Sequence, residues 1–235
     1  MAFRRPGPTP TAATLSILSM VGLGSGPTDF ERWGPRMSTV YFDLSISLDG
    51  YVAGPNVSLS NPLGDDGERL HDWMFVGRSA EQARAFEEDV FAPCGAMLMG
   101  RTMLDVGIEP WGEEPTFHMP VFVLTHRPHE PVVKLGGTTY YFVTTGLADA
   151  LEQARAAAGD RNIVIAGGAN LVRQCLAAGM VEEFRLHLVP VVLGGGVRLF
   201  DGVAPFTAEP AASCVLDSHG VTHLHYRMRD RARPE

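Results

Sequence analysis

Short apolar blocks separated by polar, glycine-rich stretches set the rhythm of this chain. From Thr39 to Ser47, β-forming residues alternate with polar ones, which predicts a strand with two different faces. Asp49-Gly50 ends it in a tight turn. Ala96–Met99, Val121–Thr125, Tyr140–Thr144 and Asn162–Ala166 are short and dominated by apolar residues, the pattern of central strands buried on both faces. Phe184, Leu186 and Leu188 alternate with Arg185 and His187, so one side of that strand is polar. Val197 to Phe200 is strand-like, and Ala212–Leu216 with Val221–Met228 reads as a hairpin turning at Ser218-His219-Gly220.

Between these blocks the period changes to that of a helix. Glu68 to Phe75 is a short amphipathic piece. Ser79-Ala80-Glu81-Gln82 forms a capping box ahead of a face made by Ala83, Phe86 and Val90. A short helix is predicted from Gly100-Arg101-Thr102. Leu147, Leu151, Ala154 and Ala158 mark a helix stopped by Gly159, and Leu171, Val172, Cys175 and Leu176 mark another, closed by Gly179. Strands alternating with helices predict a three-layer α/β fold: a mixed, mostly parallel sheet, helices on both faces, and an antiparallel C-terminal hairpin.

Residues 1–36 differ from the rest. They are rich in Pro, Gly, Thr and Ser, with one apolar stretch from Ala12 to Leu23 that is too short to span a bilayer. We read them as a disordered extension or an early start codon, with export as the competing reading, followed by one domain over 37–229 and a disordered tail over 230–235.

Composition narrows the function classes. A formal net charge of -8 with scattered Lys and Arg argues against nucleic acid as a partner. Three cysteines without a C-x-x-C pair argue against a disulfide framework and point to a reducing, cytoplasmic setting. Pro93-Cys94 lacks the H-x-E and the second cysteine that a zinc deaminase requires. His187, His223 and His225 have no carboxylate at ligand spacing, so no metal site is expected.

In open α/β sheets, ligands bind beyond the carboxyl ends of the strands. Four such ends are expected: Asp49–Gly54, Gly100–Thr102, Thr125–Arg127 and Ala166–Asn170. Ala166-Gly167-Gly168-Ala169-Asn170 leaves a strand for a helix, and the missing side chains let backbone N–H groups approach a pyrophosphate. Gly100-Arg101-Thr102 offers a glycine, a cation and a hydroxyl. Thr125-His126-Arg127 adds a donor and a fixed positive charge suited to a 2′-phosphate, hence to NADPH over NADH. Taken singly, each end reads more often as a turn or a solvated side chain. Their agreement carries the reading. Neither G-x-G-x-x-G nor a Walker A sequence is present, which disfavours Rossmann and P-loop enzymes.

Five segments in order resemble the dihydrofolate reductase-like family that includes the reductase domain of bacterial riboflavin biosynthesis, the RibD C-terminal type. They are Ser47–Gly54, Leu98–Thr102, Val123–Arg127, Ile165–Ala169 and His187–Phe200. The resemblance implies an NADPH-dependent oxidoreductase of that fold and a homodimer. It also implies that Gly100–Thr102, Thr125–Arg127 and Gly167–Ala169 hold the cofactor's phosphates, while Ile46, Ala53 and Gly54 line the nicotinamide.

For the substrate end, Asp72 is the first acidic candidate and Glu68 the second, with a solvated or capping residue as the competing reading of Asp72. Asp49 is either a catalytic contact beside the nicotinamide or the residue that makes the Asp-Gly turn. Trp73 and Trp111 read either as platforms for a flat heterocycle or as core. The expected reaction is hydride transfer to a C=N or C=O of a small heterocycle, a pterin or a 5-amino-6-(5-phosphoribosylamino)uracil-like compound. The competing class is a nucleotide- or pterin-binding protein with the same fold and no turnover.

Overall fold

The computed structural model describes residues 38–211, 215–216 and 220–229. The expectations for residues 1–36 and 230–235, and for the turn at 218–219, lie outside the described residues.

The first strand, β1 (Val40–Ser47), runs into a tight turn in which the Gly50 N–H donates to the Ser47 carbonyl at 3.0 Å. After the turn come β2 (Tyr51–Ala53), a 3₁₀ turn (Gly67–Leu70), α1 (Asp72–Phe75) and α2 (Ala80–Phe91). The capping box of α2 forms as predicted: Ser79 Oγ accepts from the Gln82 N–H at 3.2 Å and Gln82 Oε1 from the Ser79 N–H at 2.9 Å. The middle of the chain gives β3 (Cys94–Gly100), α3 (Arg101–Gly107), β4 (Pro120–Leu124), β5 (Val132–Val133) and β6 (Thr139–Val143). It continues with α4 (Leu147–Ala158), β7 (Asn162–Gly167), α5 (Ala169–Ala177) and β8 (Glu183–Val189). The last elements are β9 (Val197–Arg198), β10 (Ala208–Pro210), β11 (Val215–Leu216) and β12 (Thr222–Met228).

The main sheet has the order β10-β12-β8-β1-β7-β3-β4-β6-β5. From β8 to β6 every pairing is parallel, and β12 joins β8 antiparallel, so the sheet is mixed as expected. One register row explains why the strands hold together. Phe122, Leu98, Ile165, Phe42, Phe184 and Tyr226 are successive partners across six strands. Their side chains meet α4 and α5 in one apolar core, and Phe42 and Phe184 stack with centroids 5.2 Å apart. Each fully buried Leu, Ile or Phe of this kind contributes about 1.5–3 kcal/mol. The alternate row of Tyr41, Met97, Met99, Val121, Val123 and Val164 faces the opposite way, against Phe91 of α2 and Leu104 of α3. Helices therefore cover both faces.

One expectation needs correction. The strand predicted over Val197–Phe200 shortens to two residues and leaves the main sheet, pairing with β2 in a separate ribbon. Arg198 lies 4.7 Å above the ring of Tyr51, its partner in that ribbon. The expected C-terminal hairpin forms where it is described, with β11 antiparallel to β12, and β12 gains a further partner in β10. Among the described residues no helix is long and apolar enough to cross a membrane.

Candidate functional site

Because β1, β7, β3 and β4 run parallel, their carboxyl ends lie on one rim of the sheet. All four sequence segments proposed for ligand binding follow these ends.

The glycines there are of two kinds. A Cβ added at Gly168 would meet nothing within 4 Å, and one at Gly100 would lie 3.5 Å from the Gly168 nitrogen. Gly168 faces open space, as a backbone that receives a ligand must, while Gly100 packs at contact distance against the Gly167–Gly168 backbone. Gly167 has φ +117 and packs beneath Met103, and the Gly167–Gly168 peptide is cis. Ala169 is buried at the start of α5, whereas Asn170 is exposed and accepts from Gln174 Nε2 at 2.5 Å. Gly54 is different. A Cβ there would fall 1.9 Å from the Asp65 carbonyl oxygen, so protein backbone already fills the space. The close approach at Gly54 serves the 63–65 loop, whose Leu63 carbonyl accepts from the Gly54 N–H at 2.8 Å. Ile46 is closed off in the apolar core, and Ala53 is half-buried on β2.

The cations converge. Arg101 Nε donates to Asp105 Oδ1 at 2.6 Å, and Arg127 Nη2 reaches Asp105 Oδ2 at 3.5 Å. The Arg101 guanidinium also stands 5.5 Å over the Phe142 ring. Thr125 Oγ1 accepts from the Arg127 N–H at 3.1 Å, which fixes the exit from β4. Thr102 and His126 are exposed beside them. Asp105 was missed in the sequence, although Arg-x-x-x-Asp at helical spacing is the signal that exposes it.

The two carboxylates named for catalysis part company. Asp49 accepts from Ser47 Oγ at 2.6 Å, the Gly194 N–H at 2.7 Å and the Leu193 N–H at 3.1 Å. The Ser47 hydroxyl and then the two amides hold its carboxyl down at about 2. Asp49 is therefore a charged acceptor at neutral pH. It anchors the 193–194 loop to the end of β1. Asp72 is exposed on the first turn of α1.

A polar cluster that sequence reading did not assemble lies on one face of β1, β8 and β12. His187 Nε2 is 2.5 Å from Asp43 Oδ1, and its Nδ1 is 2.6 Å from His223 Nδ1. Trp73 covers the pair with ring centroids at 4.8 and 5.0 Å and donates from Nε1 to Ser45 Oγ at 3.1 Å. Burial lowers the His71 imidazole, and its Nδ1 is sealed from solvent without a partner. Among the described residues no group of His, Cys, Asp and Glu has the arrangement of a metal site.

A cleft of about 380 Å³ opens between α1–α2 and the segment after α3, lined by Phe75, Arg84, Glu87, Trp111 and Thr116 among others. Burial raises the Glu87 carboxyl, partly offset by the Thr116 hydroxyl. Trp111 packs edge-on against Phe117 at 5.1 Å and also lines this cleft. Trp73, by contrast, is core.

Residues 38–221 match the family model described as the RibD C-terminal domain. The chain belongs to the RibD C-terminal domain family. Its fold and that match are those of a reductase family. "Uncharacterized protein YyaP" of Bacillus subtilis (strain 168) is 25% identical over 197 residues, covering 81% of this chain and 95% of that one. The crystal structure of a putative riboflavin biosynthesis protein from Shewanella sp. PV-4 superposes with a TM-score of 0.62 at 22% identity, over 82% of this chain and 99% of that one. A pyrimidine reductase-like protein from Corynebacterium diphtheriae gives 0.52 at 13% identity, over 83% and 93%. As a RibD C-terminal domain, the chain has the expected α/β architecture, and these neighbours support the fold alone.

Proposed function

We propose that this protein is an NADPH-dependent reductase that transfers a hydride to a C=N or C=O bond of a flat heterocycle, a pterin or a phosphoribosylaminopyrimidine. One observation carries the reading: Gly100, Gly168, Arg101 and Arg127 come from three separate strand ends and share a single rim. The open Gly168 suits a pyrophosphate, the nine-residue helix α5 begins directly behind it, and the arginines suit a third phosphate. When bound, the dinucleotide supplies the hydride. The chain's own residues hold its phosphates and orient the ring.

The candidates for protonating the reduced atom are Asp72, Asp49 and water. We place the protein in the cytoplasm as a homodimer acting on a small molecule, without nucleic acid, membrane or metal.

Titration of NADPH and NADH into wild type and Arg127→Ala tests the cofactor. The expected result is a loss of roughly tenfold for NADPH with NADH nearly unchanged. Equal losses for both would remove Arg127 from the 2′-phosphate site. Consumption of NADPH with a panel of pterins and pyrimidines tests turnover. Saturable binding without consumption would favour the binding-protein reading.

A further inference from the structure

We infer that Asp105 sets how strongly this site selects a nucleotide carrying a 2′-phosphate, by holding its two arginines in place while opposing the phosphate they attract. The inference rests on the cofactor reading above and adds to it a residue that neither the sequence motifs nor the family match singles out.

The geometry divides the labour among three side chains. Arg101 is fixed on two sides, by the face of Phe142 at 5.5 Å and by Asp105 Oδ1 on its Nε at 2.6 Å. That Nε contact leaves the outer edge of the guanidinium, with its two Nη groups, available to a planar array of phosphate oxygens. Arg127 is held differently. Its backbone is fixed by Thr125, but its side chain is 72% exposed and touches Asp105 only at 3.5 Å. It is the adjustable arm of the pair.

Two guanidinium groups and one carboxylate sum to a single positive charge. A 2′-phosphate dianion arriving at the arginines therefore meets attraction from both and repulsion from Asp105, which bridges them. Because Asp105 is itself only 31% exposed and Arg127 is mostly in water, the repulsion is moderated by solvent and by salt. A nucleotide without the 2′-phosphate does not feel this balance to the same degree. Asp105 thus narrows the gap between the two cofactor classes, and its removal widens it.

Asp105→Asn isolates the charge, since the amide oxygen still accepts from Arg101 Nε. Adenosine 2′,5′-bisphosphate and adenosine 5′-monophosphate are the probes, titrated calorimetrically into wild type, Asp105→Asn and Asp105→Ala. Wild type should prefer the bisphosphate. Asp105→Asn should raise that preference by roughly threefold to tenfold at low salt, with the gain shrinking toward 1 M salt as screening grows. Asp105→Ala loses the support of Arg101 as well, and should gain less than Asp105→Asn. A preference unchanged or reduced in Asp105→Asn, or a gain indifferent to salt, overturns the inference while leaving the cofactor reading intact. A wild-type protein that binds both probes equally overturns the cofactor reading, and this one with it.

Discussion

The Gly194 N–H donates to Asp49 Oδ2 at 2.7 Å, joining two loops that lie 145 residues apart in the chain. The Leu193 amide does the same at 3.1 Å. A carboxylate that looks in sequence like a turn residue is therefore a clamp between the end of β1 and the loop after β8.

Asp49→Ala should free both amides, and their hydrogen exchange should accelerate relative to that of β8. Asp49→Asn, which keeps an acceptor, should show a smaller change. The pH dependence has a definite sign. The folded-state carboxyl sits at about 2 against an ordinary 3.8, so its contribution is complete above about 4 and is lost as pH falls toward 2. Acid unfolding curves of wild type and Asp49→Asn should converge over that interval. Curves that stay parallel would remove the clamp.

The two kinds of glycine respond oppositely to alanine. Gly168→Ala adds a methyl into open space at φ -72, so the melting temperature should scarcely move while nucleotide binding weakens by roughly tenfold or more. Gly54→Ala drives a Cβ to 1.9 Å from the Asp65 carbonyl oxygen and should destabilise the fold by about 2–4 kcal/mol. Thermal unfolding in parallel with NADPH titration separates the two. A Gly168→Ala protein that binds normally would move the phosphate site elsewhere.

Trp73 Nε1 and Ser45 Oγ form a buried pair at 3.1 Å, with the indole also lying on His187 and His223. Ser45→Ala removes this hydroxyl from the indole N–H and should cost about 1–3 kcal/mol in urea unfolding. In the Ser45→Ala, Trp73→Phe double variant the donor is gone too, so the combined loss should be smaller than the sum of the single ones. Simple additivity would show that the hydrogen bond contributes nothing.

Glu87 tests the cleft. Burial raises its carboxyl above the ordinary 4.5, so stability is greatest below that value and declines as pH rises through the folded-state pKa. Glu87→Gln abolishes this decline. Its melting temperature should exceed that of wild type at pH 7–8, and the difference should narrow toward pH 4. A wild type that is the more stable at neutral pH would mean that the ionised group is satisfied by partners in the cleft.

Much of this protein is determined by residue order alone. Apolar runs such as Ala96–Met99 dictate strands buried on both faces, because each successive side chain must leave water on one side of the sheet or the other. The capping box at Ser79 and the stops at Gly159 and Gly179 are local chemistry and are legible for that reason. The glycine and arginine tips could be proposed because strand ends of a parallel sheet share a rim. What tertiary structure alone decided are the relations between distant segments. Gly54 and Gly168 look equivalent as letters, yet one is filled by the 63–65 loop and the other faces open space. Asp49 became a clamp only when residues 193 and 194 came beside it. Asp105 joined Arg101 to Arg127 only when α3 was placed against the exit of β4, and Asp43, His187 and His223 met only across three strands. Contacts of this kind depend on side-chain direction and on which segments are packed together, and spacing along one chain contains neither.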